Sequence, residues 1–240
     1  MNGPGKLYHV WIYLSQTPLL WLTATLFAYA VGDFVSRRLG RHPLANPVMI
    51  AAGLLIVLLT STGTAYRTYF EGAQFVHFLL GPATVALGLP LWRNRLAVRR
   101  NFLPMMAALL AGSLTAIGSA VGVAWLFGAP PVILASLPAK SVTAPIAMAL
   151  TETIGGIPAL AAVLVVLTGI LGAVIVTPLM NLIGIRDYAA RGFAAGLASH
   201  GLGTARAFQV SEEAGTFAGI AMGLNGALTA LVFALLALAL

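Results

Sequence analysis

Long apolar runs bounded by charged residues dominate the pattern of this chain. Six stretches contain no Asp, Glu, Lys or Arg, and they are residues 7–32, 43–66, 72–92, 101–139, 153–185 and 214–240. A further stretch, residues 192–208, is interrupted only by Arg206. Because about 20 apolar residues cross the hydrocarbon core of a bilayer, these runs predict transmembrane helices rather than the core of a soluble domain.

The composition agrees with this interpretation. Of the 240 residues, 60% are hydrophobic and only 8% are charged, which excludes a soluble enzyme, a disordered tail and a nucleic-acid-binding domain. The absence of cysteine excludes disulfides and thiolate chemistry. We therefore expect an all-α polytopic membrane protein that forms a single membrane domain over residues 1–240, without a cofactor, a bound metal or a nucleic-acid partner.

The net charge of +7 comes from basic residues that lie between the apolar runs, where such residues set membrane orientation. They form three clusters that we expect on the cytoplasmic side. These are Arg37, Arg38 and Arg41; Arg93, Arg95, Arg99 and Arg100; and Arg186 and Arg191. The acidic residues Glu71, Glu212 and Glu213 then fall in loops on the opposite side.

This orientation requires residues 129–156 to leave the outer side and return to it, as a re-entrant hairpin or a pair of half-helices. Four prolines support such a break, since proline removes a backbone donor and disrupts a helix interior; they are Pro130, Pro131, Pro138 and Pro145. The alternative is one kinked span that places Arg186 and Arg191 outside. With the hairpin, the chain has about seven to eight transmembrane segments, some of them broken or re-entrant.

An internal repeat is also visible. Residues 107–117 and 221–231 are identical at six of eleven positions, and the two halves match as residues of about 7–127 and 129–240. In the predicted topology the fourth and last helices run in opposite directions, which gives the inverted repeat common among secondary transporters. The alternative is chance similarity between helices rich in Ala, Gly and Leu.

Polar groups within the apolar runs are candidates for a binding site, because such groups are costly in a membrane. Lys140, Ser141 and Thr143 lie together in the proline-rich segment. A buried lysine beside the free amides of a helix start favours a bound anion. In the alternative interpretation, Lys140 extends to the interface as an orientation signal.

A second candidate cluster consists of His200, Gly201, Gly203, Thr204 and Arg206. The glycines permit close backbone approach, His200 can carry a proton near neutral pH, and Arg206 can bind a carboxylate with two hydrogen bonds. His200 as a packing residue and Arg206 at the interface are the alternatives. We expect this cluster to meet the Lys140 segment near the bilayer midplane, since irregular backbone must be shielded from lipid.

A third cluster contains His77 and Thr84, on either side of Gly81 and Pro82. It occupies the place in the first half that the His200 cluster occupies in the second half. We include His77 and Thr84 among the predicted substrate-binding residues, with a kinked packing helix as the alternative. Asn225 is polar within an apolar run and is equally consistent with a bond between helices.

Several motifs together resemble one known family. Residues 140–147 (KSVTAPIA), 155–158 (GGIP) and 198–206 (ASHGLGTAR) are the most specific, and residues 169–173, 185–187 and 190–192 add to the likeness. On these motifs the chain resembles the LrgB/CidB family of bacterial inner-membrane proteins over residues 19–240. The resemblance implies a multi-pass inner-membrane protein that is not an enzyme.

The resemblance implies two functions. One is the transport of small carboxylates, pyruvate in bacteria and glycolate or glycerate in a plastid relative. The other is antiholin-like control of murein hydrolase export and autolysis, together with a small holin-like membrane protein of the LrgA/CidA type. Broken helices and buried cationic groups favour the carboxylate transporter, coupled to protons through His200. We also expect the protein to form a homodimer in the lipid bilayer.

Overall fold

The structure is a computed structural model that describes residues 18–42, 45–79, 82, 86 and 88–239. Within these ranges the chain forms α-helices joined by turns, and no β-strand occurs in them. The predicted all-α class is confirmed. The chain divides into two compact units, residues 1–86 and 87–240.

The first unit contains three described helices, α1 (Pro18–Arg38), α2 (Pro47–Thr62) and α3 (Tyr66–Phe78). α1 packs against both of the others. The contacts are close because glycine lies at each of them. A Cβ atom on Gly32 would lie 2.4 Å from the carbonyl oxygen of Pro47, and one on Gly72 would lie 2.1 Å from that of Pro18.

The second unit contains eight described helices. They are α4 (Gly88–Arg93), α5 (Arg95–Arg100), α6 (Phe102–Leu126), α7 (Pro131–Ser136), α8 (Ala144–Thr153), α9 (Pro158–Leu182), α10 (Tyr188–Val210) and α11 (Glu212–Ala239). Local sequence sets these bounds. Proline begins α7 and α9, where the missing N–H costs nothing. Gly184, with φ 74°, follows the end of α9, and the Asp187 carboxylate caps α10.

Two glycines one turn apart bring α10 and α11 together. A Cβ atom on Gly192 would lie 2.0 Å from the carbonyl oxygen of Ala214, and one on Gly196 would lie 1.9 Å from that of Ala218. These contacts follow the same order along both helices, so residues 188–198 run parallel to α11. Small residues at such spacing let helix backbones touch, which is the usual way that membrane helices associate.

Four described helices are long and apolar enough to cross a membrane: Pro18–Arg38, Phe102–Leu126, Pro158–Leu182 and Glu212–Leu235. They carry large exposed apolar side chains; Leu103, for example, is 79% exposed and Leu182 is 83% exposed. Such surfaces are stable in lipid but not in water, so the chain is a membrane protein. The expected seven to eight segments are not all found. The second run forms a shorter helix, α2, and the third is divided between α3 and α4 with undescribed residues between them.

The direction of the last helix differs from the prediction. Ser113 of α6 donates a hydrogen bond to Asn225 of α11, and Met105, eight residues earlier in α6, lines the same cavity as Phe217, eight residues earlier in α11. These pairs follow the same order along the chain, so α6 and α11 run in the same direction, and the expected opposite orientation is wrong. Glu212 also pairs with Arg93 at 3.6 Å, so it lies at the arginine-rich end and not at the opposite end. The reason is that the sequence predicts one membrane crossing for residues 192–208, whereas α10, which contains them, folds back on itself.

Candidate functional site

Residues 131–153, here called the Lys140 hairpin, fold back on themselves. The two short helices α7 and α8 are separated by irregular residues 137–143. Ile157, just after α8, donates a backbone hydrogen bond of 2.8 Å to the Ser136 hydroxyl at the end of α7. A single kinked span would place these residues far apart. The expected fold-back is therefore confirmed, and the end of α7 lies beside the start of α9.

The predicted residues Lys140, Ser141 and Thr143 lie in the irregular part of this hairpin. Lys140 is half-buried, and its Nζ donates to the Ser141 hydroxyl at 3.3 Å. In the described part of the chain no carboxylate forms an ion pair with Lys140. Thr143 precedes α8 in an extended conformation, and its side chain does not cap the helix. An ammonium group thus lies three to four residues before a helix start whose first amides are not capped by Thr143, a combination that favours an anion.

The helix α10, here called the His200 hairpin, is broken at its centre. Ser199 has φ −128° and ψ 16°, and His200 has φ 43° and ψ −132°, so neither residue is helical. Tyr188 and Val210, at the two ends of α10, line the same small cavity. In a continuous helix they would be about 33 Å apart. Residues 201–210 therefore fold back along residues 188–198, and the predicted crossing of this segment is wrong.

His200 forms the tip of the second hairpin and is buried. Its Nε2–H donates to the backbone carbonyl of Val165 in α9 at 2.9 Å, so the neutral ring keeps Nδ1 as its acceptor. The positive φ of His200 is unfavourable for any residue other than glycine and costs about 1–3 kcal/mol. Non-glycine residues persist in such conformations where the surrounding packing enforces them, often at functional sites.

Two glycines of α9 make room for this tip. A Cβ atom on Gly169 would lie 2.6 Å from the His200 ring, and one on Gly172 would lie 1.6 Å from the Ser199 hydroxyl oxygen. The Ser199 hydroxyl is buried, and no described residue forms a hydrogen bond with it. Such an orphan costs about 1–3 kcal/mol. The tip of the His200 hairpin is thus held in a groove that only glycine at these two positions can form.

The remaining predicted residues of this segment lie on the second half of the hairpin. Thr204 is buried and donates to the His200 carbonyl at 2.9 Å. Gly203 lies so close to the first half that a Cβ atom would be 2.3 Å from the Ala195 carbonyl oxygen. Gly201 is exposed, and a Cβ atom there would meet only the Met222 sulfur, at 3.9 Å. Gly203 therefore closes the hairpin, while Gly201 leaves open space at its tip.

Asn225 of α11 joins the two hairpins. Its Nδ2 donates to the carbonyl oxygen of Ser141 at 3.1 Å and to that of Leu197 at 3.3 Å. Its Oδ1 accepts a hydrogen bond of 2.6 Å from the Ser113 hydroxyl. The Leu197 carbonyl is available because α10 breaks two residues later. The expected meeting of the Lys140 and His200 segments is found here, at a buried side chain between them.

Arg206 lies away from this junction. Together with Arg191 it lines a cavity of about 30 Å³ at the open end of the His200 hairpin, and its Nη1 donates to the Gln209 side chain at 3.3 Å. Arg191 donates to the Thr177 carbonyl and to the Asn181 side chain. Arg206 therefore does not belong to the cluster around His200, although the two residues are close in sequence.

The third predicted cluster lies largely outside the described residues. Thr84 and Gly81 are not described, and of His77 only the backbone, within α3, is described. Within the described ranges no three His, Asp or Glu side chains come together as a metal site would require. The geometry that can be analysed is therefore that of the two hairpins.

Three residues that build the junction are not assigned to the site by the sequence analysis. Gly169 and Gly172 contribute there only to the family resemblance. The bond between helices expected as one interpretation of Asn225 is confirmed by Ser113, but its bonds to both hairpins are not predicted. A signal was present for each. Two glycines three residues apart lie on one helix face, and a lone asparagine in a long apolar run needs buried partners.

The arrangement of the site suits an anion. The two hairpins enter from opposite ends of α9. Ser136 of the Lys140 hairpin accepts from Ile157 at the start of α9, and Arg191 of the His200 hairpin donates to Thr177 near its end. Their tips meet α9 at Val165, which accepts from His200 and belongs to the same buried cluster as Val142. The described groups near this junction are an ammonium, hydroxyls, an imidazole and backbone amides, which stabilise negative charge when they donate.

Comparison with known proteins places the chain in a defined group. Residues 25–238 match the model of the LrgB-like family. The holin-like protein CidB of Staphylococcus epidermidis is 26% identical over 94% of this chain and 97% of its own length. The antiholin-like protein LrgB of Bacillus mycoides is 26% identical over 91% of this chain and 95% of its own length.

A further relative is the uncharacterized protein YwbG of Bacillus subtilis, which is 33% identical over 87% of this chain and 92% of its own length. No solved structure matches the chain. The names of the first two relatives describe one as holin-like and the other as antiholin-like.

Proposed function

The chain belongs to the LrgB-like family, and we propose that it is a secondary transporter of small carboxylates, such as pyruvate or glycolate, in a bacterial inner membrane. One observation carries this proposal. Two hairpins enter the helix bundle from opposite ends, and their tips meet at buried Asn225. Transporters commonly bind substrate between broken helices, because only such segments offer unsatisfied backbone groups within a membrane.

The charge of the junction supports an anionic substrate. Lys140 lies at the tip of its hairpin and donates a hydrogen bond to the Ser141 hydroxyl. Among the described residues no carboxylate forms an ion pair with it. A partly desolvated ammonium is stabilised when a carboxylate binds to it. Ser141, Thr143 and the first amides of α8 supply further donors for the same group. In this proposal Gly201 and Thr204 of the other hairpin complete the binding site.

Proton coupling follows from the same geometry. A carboxylate that moves into a cell against an inside-negative potential meets about 2.3 kcal/mol per 100 mV. A proton carried with it removes this cost. His200 can accept that proton on Nδ1, since Nε2 already donates to Val165. Substrate and proton then bind cooperatively, because each lowers the electrostatic cost of the other.

The test is uptake of radiolabelled pyruvate and glycolate by proteoliposomes that contain the purified protein. Uptake by the wild-type protein, lost on Lys140→Met, supports the proposal. The same protein without uptake of either compound, under an imposed proton gradient, contradicts it. Protein-free liposomes measure the passive entry of each acid.

A second candidate is favoured by the names of the relatives, which describe holin-like and antiholin-like proteins directly. In this function the chain controls murein hydrolase export and autolysis, acting with a small holin-like membrane protein. Deletion of the gene, with autolysis and hydrolase release measured, tests this candidate. Complementation of the deletion strain by the Lys140→Met variant distinguishes the two candidates. If the phenotype depends on transport, the variant does not restore it. If the protein acts only as a structural regulator, the variant restores it. A homodimer, detectable by cross-linking in the membrane, is compatible with both.

A further inference from the structure

Asn225 is the one described side chain that hydrogen-bonds both hairpins. It reaches residue 141 of the Lys140 hairpin and residue 197 of the His200 hairpin with the same amide nitrogen. Its oxygen is held by Ser113 of α6. The side chain is therefore fully oriented: Ser113 fixes the oxygen, and this fixes the direction of both N–H groups. A flipped amide would leave an oxygen facing two carbonyl oxygens.

The two bonds go to two different broken segments of the chain. α6 and α11, which carry Ser113 and Asn225, are long continuous helices, whereas each hairpin tip is connected to the bundle through its own irregular residues. Release of either tip breaks one hydrogen bond of Asn225 and leaves the other bond and the Ser113 bond intact. The amide thus contacts both tips from a fixed position between them.

We propose that Asn225 is a positioning residue that latches both hairpin tips, so that the site is closed at both ends when both bonds are made and opens at one end when one bond breaks. The inference builds on the proposed transport function. It adds which residue links the two openings. A transporter requires such a link, because simultaneous opening of both hairpins would create a leak.

The absence of cysteine makes the inference directly testable. Single cysteines are placed at Thr143, which is similar in size, and at Gly201, where a Cβ atom meets only a sulfur at 3.9 Å. Each is labelled with a membrane-impermeant maleimide in vesicles of both orientations. The labelling rate reports how often each tip is open, and it needs no substrate.

The variant Asn225→Asp keeps the oxygen that accepts from Ser113 and removes both donors to the hairpins. We expect labelling of both cysteines to rise about threefold to tenfold, as expected for the loss of one buried hydrogen bond at each tip. The matched control is Ser113→Ala, which removes the third bond and keeps both latches. In Ser113→Ala, we expect the labelling rate of each cysteine to rise by less than half of the rise found in Asn225→Asp.

Unchanged labelling in Asn225→Asp overturns the proposal. Asn225→Leu removes the same donors without a charge, and it replaces Asn225→Asp if the aspartate variant does not accumulate. Failure of both to fold, with Ser113→Ala intact, also overturns it, because Asn225 is then a structural bond only. If labelling responds while the wild-type protein carries no carboxylate, the latch stands and the proposed function fails. If uptake occurs while labelling does not respond, the latch fails alone.

Discussion

The two hairpins reach the same junction but are built differently. The His200 hairpin consists of two helical halves that are pressed together and against α9 and α11 by glycine at 169, 172, 192, 196 and 203. Its tip is a two-residue turn with a strained histidine. The Lys140 hairpin has a short helix, seven irregular residues and a second short helix, and part of its second helix is exposed, including Pro145 and Met148.

This difference indicates a division of roles. Dense glycine packing restricts the His200 hairpin more than the Lys140 hairpin, and an imidazole with one occupied nitrogen is suited to bind a single proton. The looser Lys140 hairpin has more exposed surface and fewer fixed neighbours, which is typical of segments that open locally. We therefore expect the Lys140 hairpin to carry the substrate contacts and most of the movement.

The largest effect should follow from breaking the packing of the His200 hairpin. Gly196→Val places a side chain where the Ala218 carbonyl oxygen is 1.9 Å from the first added atom, and overpacking of this kind costs about 1–3 kcal/mol or more. We expect loss of folded protein, measured by size-exclusion chromatography in detergent. Gly118→Val is the control, since no described atom beyond its own stretch of helix lies within 4 Å of its Cβ position. Equal yields of the two variants would show that this contact is not required.

The next largest effect should come from Lys140. Replacement of Lys140 with methionine keeps the length and apolar character of the stem and removes a charged donor. Loss of such a donor costs about 1.5–3 kcal/mol of anion binding, on the order of tenfold to a hundredfold. We expect carboxylate uptake to fall by that factor while the amount of folded protein in the membrane stays constant. Uptake with unchanged apparent affinity would place the substrate elsewhere.

The amino-acid sequence predicted the fold-back of the Lys140 hairpin but not the turn of the His200 hairpin. Prolines around Lys140 predicted the fold-back of that hairpin, because proline disrupts the interior of a helix and is tolerated in its first turn. Gly201 and Gly203 indicated irregular backbone in the second segment, but no residue there indicated that the chain reverses its direction at Ser199 and His200. Their conformation depends on contacts with Gly169 and Gly172 of another helix. The residues next to Ser199 and His200 in the sequence do not predict such a long-range contact. Because this turn was not predicted, α10 was taken as a membrane crossing and the predicted direction of α11 was wrong.

A smaller effect should come from His200→Gln, which keeps a donor for the Val165 carbonyl but cannot take up a proton near neutral pH. Wild-type uptake should rise as the external pH falls from about 8 to 6, because the imidazole is protonated more often and the proton accompanies the carboxylate. The variant should be slower and nearly independent of pH over this range. Initial rates measured at a fixed membrane potential give both profiles. A variant that keeps the wild-type slope identifies His200 as a packing residue.

The smallest effect is expected at Arg206. This residue was predicted to clamp the carboxylate, yet it lies at the open end of its hairpin beside Arg191, with Gln209 as a partner. Arg206→Gln should therefore reduce uptake by less than about threefold, the effect of losing an average hydrogen bond within a membrane protein. The comparison with Lys140→Met in the same proteoliposomes sharpens the division between the two hairpins. A loss at Arg206 as large as that at Lys140 would mean that the substrate also contacts the open end of the His200 hairpin, and the binding site would then extend along this hairpin rather than being confined to the junction at Asn225.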